Sequence, residues 1–310
     1  STAEAAMRSG EIWRTLRIII ALVWGATISA CATAPVTLTI AANNASSPPQ
    51  YGSKDYPQAL AAIMAVMVDE WQLPGVEVSV TLYPSQVSYE SGVVSELERN
   101  RQRLRQQFGL ALNPAREEEA VLASKRLAVN SAAVGMYRRV LINESRVTRL
   151  LWTEWMRVLA HELAHTAQIE LANGRVAAWD QWLTEGFAEW VGYKIAERLG
   201  AESFAKSREQ ALNRIAKVKA YQSLPSLSQL VDGRSWTAWV QSLGNSATYG
   251  QAFIAVDFLV EQKGLAAVVE YFRLYGKLNN RERNFTAAFG EALGPFDQRF
   301  SAYFAHQLGG

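Results

Sequence analysis

One cysteine, Cys31, occurs in the 310 residues, so no disulfide forms within the chain and nothing in its stability relies on an oxidising compartment. An excess of either charge is missing as well. Lys and Arg number 31 against 29 Asp and Glu, a formal +2, which lacks the electrostatic footprint expected for a nucleic-acid partner. Nor is there a clear run of the about 20 apolar residues that a membrane span needs. The nearest approach, Ile18-Ile19-Ile20-Ala21-Leu22-Val23-Trp24 with the small residues after it, stops short. No internal repeat is present. What the chain does have is 49% hydrophobic residues, ample material for one large core or two smaller ones.

Histidine is scarce too, and its placement is informative. Of three in the chain, two fall in His161-Glu162-Leu163-Ala164-His165. Residues four apart share one face of a helix, so both imidazoles can aim a ring nitrogen at a single ion. Glu162 lies about 100° round the same turn, off the ion yet within reach of a water bound to it. Catalytic zinc typically takes three protein ligands and keeps its fourth position open, and Glu185 of Trp182-Leu183-Thr184-Glu185-Gly186-Phe187-Ala188-Glu189-Trp190 supplies the third. The competing reading is a surface helix with two incidental histidines. Against it, Trp155, Met156, Val158, Leu159 and Leu163 make the helix apolar, and Glu185 and Glu189 sit four apart on a second apolar helix where buried carboxylates demand partners.

These residues resemble the gluzincin metallopeptidases, and more closely the small proteins described as peptidase-MA-like, in which an HExxH helix precedes a helix bearing a Trp-Leu-x-Glu-Gly-x-Ala segment. Trp182 to Ala188 is similar to that segment, and the resemblance extends over roughly 125–305. It implies His161, His165 and Glu185 as ligands to one Zn2+, Glu162 as general base, and Glu189, one turn on, as the acid that orients the first histidine. A ligating imidazole does commonly donate its other N–H to a carboxylate. It also implies an α+β fold of the gluzincin-like (thermolysin-like) kind, with a mixed α/β N-terminal lobe and a mostly helical C-terminal lobe. The metzincin pattern fails, since Gln168 and Leu171 stand where it needs Gly and His. Aminopeptidases of the gluzincin type carry an acid beside a glycine that Ala133-Val134-Gly135-Met136-Tyr137-Arg138-Arg139 lacks, which points to an endopeptidase. Tyr249, in Ala247-Thr248-Tyr249-Gly250-Gln251, resembles a tyrosine that stabilises the oxyanion; the alternative is a core tyrosine with a backbone partner.

The N-terminal segment reads as a targeting signal over 1–30: basic residues Arg8, Arg14 and Arg17, then the apolar stretch, then Ile28-Ser29-Ala30-Cys31, which resembles a bacterial lipoprotein box with Cys31 lipidated. The expectation is export to the bacterial cell envelope, facing the periplasm and held to the membrane by N-terminal lipid. Residues 31–54, with Asn, Ser and Pro from Ala41 to Gln50, read as a flexible tether.

Beyond it, Asp55 and Pro57 open a helix towards Trp71, the alternation from Val76 to Leu82 predicts a half-buried strand, and polar helices follow near 92–107 and 115–125. Arg99, Arg101, Arg103 and Arg105 recur every second residue and form no single helical stripe, which favours a solvated surface. Leu127 to Ile142 reads as extended, and its Val134, Gly135, Met136 and Tyr137 are the candidate edge for an extended substrate. The active-site helix is predicted from Val147 to Leu171, closing an N-terminal lobe at 55–175. A helical lobe, 176–310, follows, with segments near 179–199, 201–218, 247–262, 264–275 and 296–307. Trp152, Trp155, Trp179, Trp182 and Trp190 are expected to pack the two ligand helices together, and His306 to lie on the surface.

The expectation is therefore a zinc-dependent peptidase acting on a peptide or protein substrate and on no nucleic acid. The alternatives are a zinc-stabilised binding protein without catalysis, and a zinc amidohydrolase acting on a non-peptide envelope substrate. A complete Glu162 argues against the first, because a structural zinc site needs no base.

Overall fold

Two alternating β-branched segments, Val36-Thr37-Leu38-Thr39-Ile40 and Val78-Ser79-Val80-Thr81-Leu82, lie side by side as the antiparallel strands β1 (Val36–Ile40) and β2 (Val78–Tyr83). They belong to a computed structural model that describes residues 34–41, 50–75, 77–109, 114–175 and 179–309. β2 pairs in parallel with β4 (Arg139–Asn143), and β4 pairs antiparallel with β3 (Ala133–Met136), giving the order β1-β2-β4-β3. β3 is thus an edge strand, joined to β4 by Tyr137-Arg138, where Arg138 takes a φ of 54°.

Strand alternation divides the side chains between two faces. Val78, Val80, Leu82, Val140 and Ile142 enter the large apolar cluster, which also contains α1 (Tyr56–Asp69) and α5 (Trp152–Leu171). Tyr83, Val134, Met136 and Leu141 turn the other way, to Tyr89 and Val93 of α2 (Gln86–Phe108) and Ala128 of α3 (Pro114–Asn130). β2 is therefore covered on both faces rather than half-buried, as expected of a strand between two neighbours.

Local chemistry sets several boundaries. Asp55 caps α1 by accepting from the Gln58 N–H at 2.9 Å, with Pro57 in the first turn, where a missing N–H costs nothing. Ser85 and Ser88 form a capping box for α2. The helix that carries His161 and His165 starts at Trp152, not Val147: residues up to Val147 form a separate short turn, α4 (Glu144–Val147), and Lys54 binds the Thr148 and Leu150 carbonyls in the break. It ends where Asn173 and Gly174 take φ of 54° and 76°, a left-handed stop natural to those residue types. Leu127–Asn130 belongs to α3, so only the part from Ala133 is extended.

The helical half comprises α6 (Gln181–Arg198), α7 (Phe204–Lys219), a 3-10 turn (Leu227–Leu230), α8 (Gly233–Leu243), α9 (Asn245–Lys263), α10 (Leu265–Leu274), α11 (Arg281–Phe289) and α12 (Leu293–Gln307). Breaks at Gly200, Gly244 and Gly264 fall where expected, whereas Pro295 sits inside the first turn of α12. The fold is mixed α+β and mostly helical.

Two expected divisions do not survive. The tether interval 31–54 contains β1, which carries a full ladder to β2. The lobes 55–175 and 176–310 are not separate cores either, since one apolar cluster runs from Ile40 to Phe304 and residues 35–310 form one unit. The targeting segment 1–30, Cys31 and residues 42–49 lie outside the described residues. Among the described residues no helix is long and apolar enough to cross a membrane.

Candidate metal centre

α5 and α6 pack along one another, and small residues set their spacing. A β-carbon on Gly192 of α6 would stand 3.2 Å from the Arg157 carbonyl of α5, and one on Gly186 would stand 2.3 Å from the Ala252 carbonyl of α9. α6 is thus pressed between α5 and α9, with Glu185 beside the tighter contact. The expected tryptophans share one buried cluster with both helices and also reach neighbouring elements. Trp155 meets Tyr56 of α1, Trp182 stacks on Phe296 of α12, and Trp190 donates to Asp257 of α9.

The seam brings together His161, His165 and Glu185, whose ligand atoms all lie within 4.8 Å of one another. The two Nε2 atoms are 3.1 Å apart, and Glu185 Oε2 is 3.4 Å from the first and 3.5 Å from the second. Three ligands held about 2.0–2.2 Å from a tetrahedral ion are separated from each other by about 3.3 Å. The measured triangle fits that edge length, and its composition, two imidazoles and one carboxylate, is the donor set of an open catalytic site. These three residues could therefore hold a metal ion.

Each ligand is held from behind. Glu189 Oε1 lies 3.1 Å from His161 Nδ1, close enough for strong attraction although out of line for a hydrogen bond, and Arg157 lies 3.3 Å from the other Glu189 oxygen. Arg157 in turn stacks 3.7 Å over the Tyr193 ring. Gln181, one turn before Glu185, donates to its Oε1 at 2.8 Å. His165 Nδ1 meets Gln168 Oε1 at 2.8 Å. Spacing of four along a helix could have pointed to Gln181, whereas Gln168 enters sequence reading only as a departure from the metzincin pattern.

The electrostatics follow from this crowding. Burial disfavours charge on His161, but the adjoining Glu185 and Glu189 carboxylates outweigh it and raise its pKa well above the ordinary value. His165 is raised too, with burial again opposed and the Glu185 charge prevailing. Burial would raise the Glu185 carboxyl, yet the two imidazoles hold it far below the usual carboxylate range, and Glu189 is lowered by His161 and Arg157 in the same way.

Glu162 stands apart from the triangle. It is buried, and its Oε2 accepts the Gly135 N–H at 2.5 Å. On β3 the Asn143 N–H to Ala132 carbonyl bond fixes the parity, so Val134 and Met136 bond to β4 while Gly135 turns its N–H outward to Glu162. Gly135 also fits against α5 only for want of a side chain: a β-carbon would stand 2.2 Å from the Glu162 carbonyl and 2.9 Å from His165 Cβ. The expected substrate edge is therefore partly engaged within the protein. Val134 and Met136 point their side chains into the smaller core, and Tyr137 is in the turn rather than the strand, with Arg103 and Arg138 at 4.5 and 5.2 Å from its ring centre.

Tyr249 of α9 places its ring centre 6.3 Å from that of His161 and 5.0 Å from Trp236 of α8. The Glu185 charge, with burial, pushes its phenol well above the ordinary tyrosine value, so it is a proton donor at neutral pH. His306 is exposed on α12, away from the cluster. Arg99 and Arg101 pair within α2 with Glu96 and Glu98, and Arg103 reaches across to the Gly174 carbonyl beyond the end of α5. Compared with known proteins, the chain matches no protein-family model and no curated protein sequence.

Proposed function

We propose that this protein is a zinc-dependent peptidase, an endopeptidase on a gluzincin-like scaffold in which α5 and α6 carry the metal ligands at the seam of an α/β and a helical half. The observation that carries the reading is the convergence of His161, His165 and Glu185 on one point, with Glu162 held off that point by the Gly135 N–H. A purely structural site would close its fourth position and would have no use for a carboxylate held beside it.

Zinc in this site would polarise the scissile carbonyl and bring the pKa of a water towards about 7. Glu162, anchored through one oxygen, takes the water's proton with the other and returns it to the leaving amine. Tyr249 keeps its proton at neutral pH and offers a donor to the carbonyl oxygen as charge develops there. An extended peptide lies along the outer edge of β3, where the Gly135 carbonyl faces away from β4. The protein acts from the cell envelope, anchored through lipid on Cys31.

The test is to load the protein with zinc, measure stoichiometry by elemental analysis, and incubate it with a mixed peptide library read by mass spectrometry for new termini. About one zinc per chain and internal cleavages are expected. Stoichiometric zinc without cleavage would overturn the peptidase reading, and absence of zinc would overturn the metal centre. Replacing Cys31 by Ser should release the protein from the membrane fraction.

A further inference from the structure

Behind His165 stands a neutral carboxamide, where His161 has a carboxylate. Gln168, 0% exposed on α5, bridges the two ligand helices: its Oε1 lies 2.8 Å from His165 Nδ1, and its Nε2 donates at 2.9 Å to the carbonyl of Thr184, the residue before Glu185. The orientation of this amide follows from what each partner can do. A carbonyl only accepts, so the amide nitrogen must face Thr184 and the amide oxygen must face His165. That oxygen also only accepts, so His165, when neutral, carries its hydrogen on Nδ1 and presents the Nε2 lone pair towards His161 and Glu185.

We propose that Gln168 is a positioning residue of the metal centre, fixing His165 as the Nδ1–H tautomer and tying its ring to the helix that carries Glu185. This rests on the reading of His161, His165 and Glu185 as metal ligands. The neutrality of Gln168 has a reason of its own. Glu162, Glu185 and Glu189 already place three carboxylates around the histidines, with Arg157 paired to one of them, so a fourth would add buried negative charge beside a carbonyl oxygen. Thr184 is further fixed because its N–H and hydroxyl both donate to the Asp180 carbonyl, which anchors the far end of the bridge.

A packing role and a positioning role separate by chemistry. Gln168→Met fills similar volume without an acceptor, whereas Gln168→Glu keeps an acceptor for His165. Zinc affinities of the wild type and both variants, from competition with a chelator, should show Gln168→Met weaker by about 10 to 100-fold and Gln168→Glu, which keeps the acceptor for His165 but sets a carboxylate against the Thr184 carbonyl, recovering only part of that loss. A folded Gln168→Met protein with wild-type zinc affinity would overturn the proposal. Should that variant fail to fold, long-range proton–nitrogen correlation spectra of the zinc-loaded wild type decide: a proton on His165 Nδ1 is expected, and zinc on Nδ1 would overturn it. A wild-type protein that takes up no zinc would instead remove the metal centre itself, and the proposal with it.

Discussion

Gly135 gives its backbone N–H to Glu162 across 2.5 Å, and the same glycine leaves the space into which the Glu162 carbonyl projects, 2.2 Å from where a β-carbon would be. One residue thus aims the proposed base and sets the distance between the edge strand and α5. Gly135→Ala meets backbone, which cannot rotate away, so β3 must shift. The expected cost is roughly 1–3 kcal/mol of stability with most of the activity lost. Thermal unfolding and turnover measure both, with Gly294→Ala, where the added carbon meets nothing within 4 Å, as the control that should keep both.

Glu162→Gln should keep the fold and the zinc while turnover falls about 10² to 10⁴-fold, because proton transfer is lost and the metal ligands are untouched. The amide oxygen can still accept from Gly135, so the strand stays in place. Normal turnover at full zinc occupancy would remove Glu162 from the mechanism.

For Tyr249 the two readings part on rate against stability. As an oxyanion donor, its replacement by Phe lowers kcat about 10² to 10³-fold with little change in substrate binding. As a residue of the core, the same change leaves kcat intact and costs about 1 kcal/mol from a lost hydrogen bond. Steady-state kinetics and a melting curve on one preparation distinguish them.

Asp180 gives a pH signature away from the ligands. It begins α6, is fully buried, accepts from the Tyr271 hydroxyl at 2.9 Å, and has Arg281 at 3.4 Å. Burial raises its carboxyl to about 6, and Tyr271 and Arg281 only partly counter it. A raised acid contributes stability fully below its unfolded pKa of about 3.9 and loses that contribution as pH rises through its folded value. Asp180→Asn keeps the acceptor for Tyr271 without the charge. It should match the wild type near pH 4 and exceed it by on the order of 3 kcal/mol near pH 7, read from unfolding curves across that range. A difference that does not change with pH would show that Arg281 keeps the carboxylate ionised throughout.

Legibility in the sequence followed the range of each interaction. His161, His165, Glu185 and Glu189 are periodic along helices, and the structure brings all four to one place. Gln168 and Gly135 act across elements, and nothing in their local spacing announces a Thr184 carbonyl or a Glu162 carboxylate as partner. β1 was hidden differently. Val36, Leu38 and Ile40 alternate with threonines as a strand should, but the Asn, Ser and Pro residues just after them gave the whole interval the composition of a linker. α8 and α11 are short, started by the side chains of Asp232 and Asn280; α11 is polar, whereas α8 does carry an apolar stripe, Trp236, Trp239, Val240 and Leu243, over only about three turns. The larger core, reaching from Ile40 to Phe304, is a property of packing that no window of sequence contains.

Gly135 against α5, Gly192 against Arg157 and Gly186 against Ala252 fix the walls of the metal site by backbone contact, with no flexible side chain between them to yield. Such walls open only in events on the scale of domain unfolding, so amide protons along α5, α6 and α9 should be among the last to exchange with solvent. The places of His161, His165 and Glu185 are thus set by how closely the backbones of α5, α6, α9 and β3 approach, before their own side-chain contacts are counted.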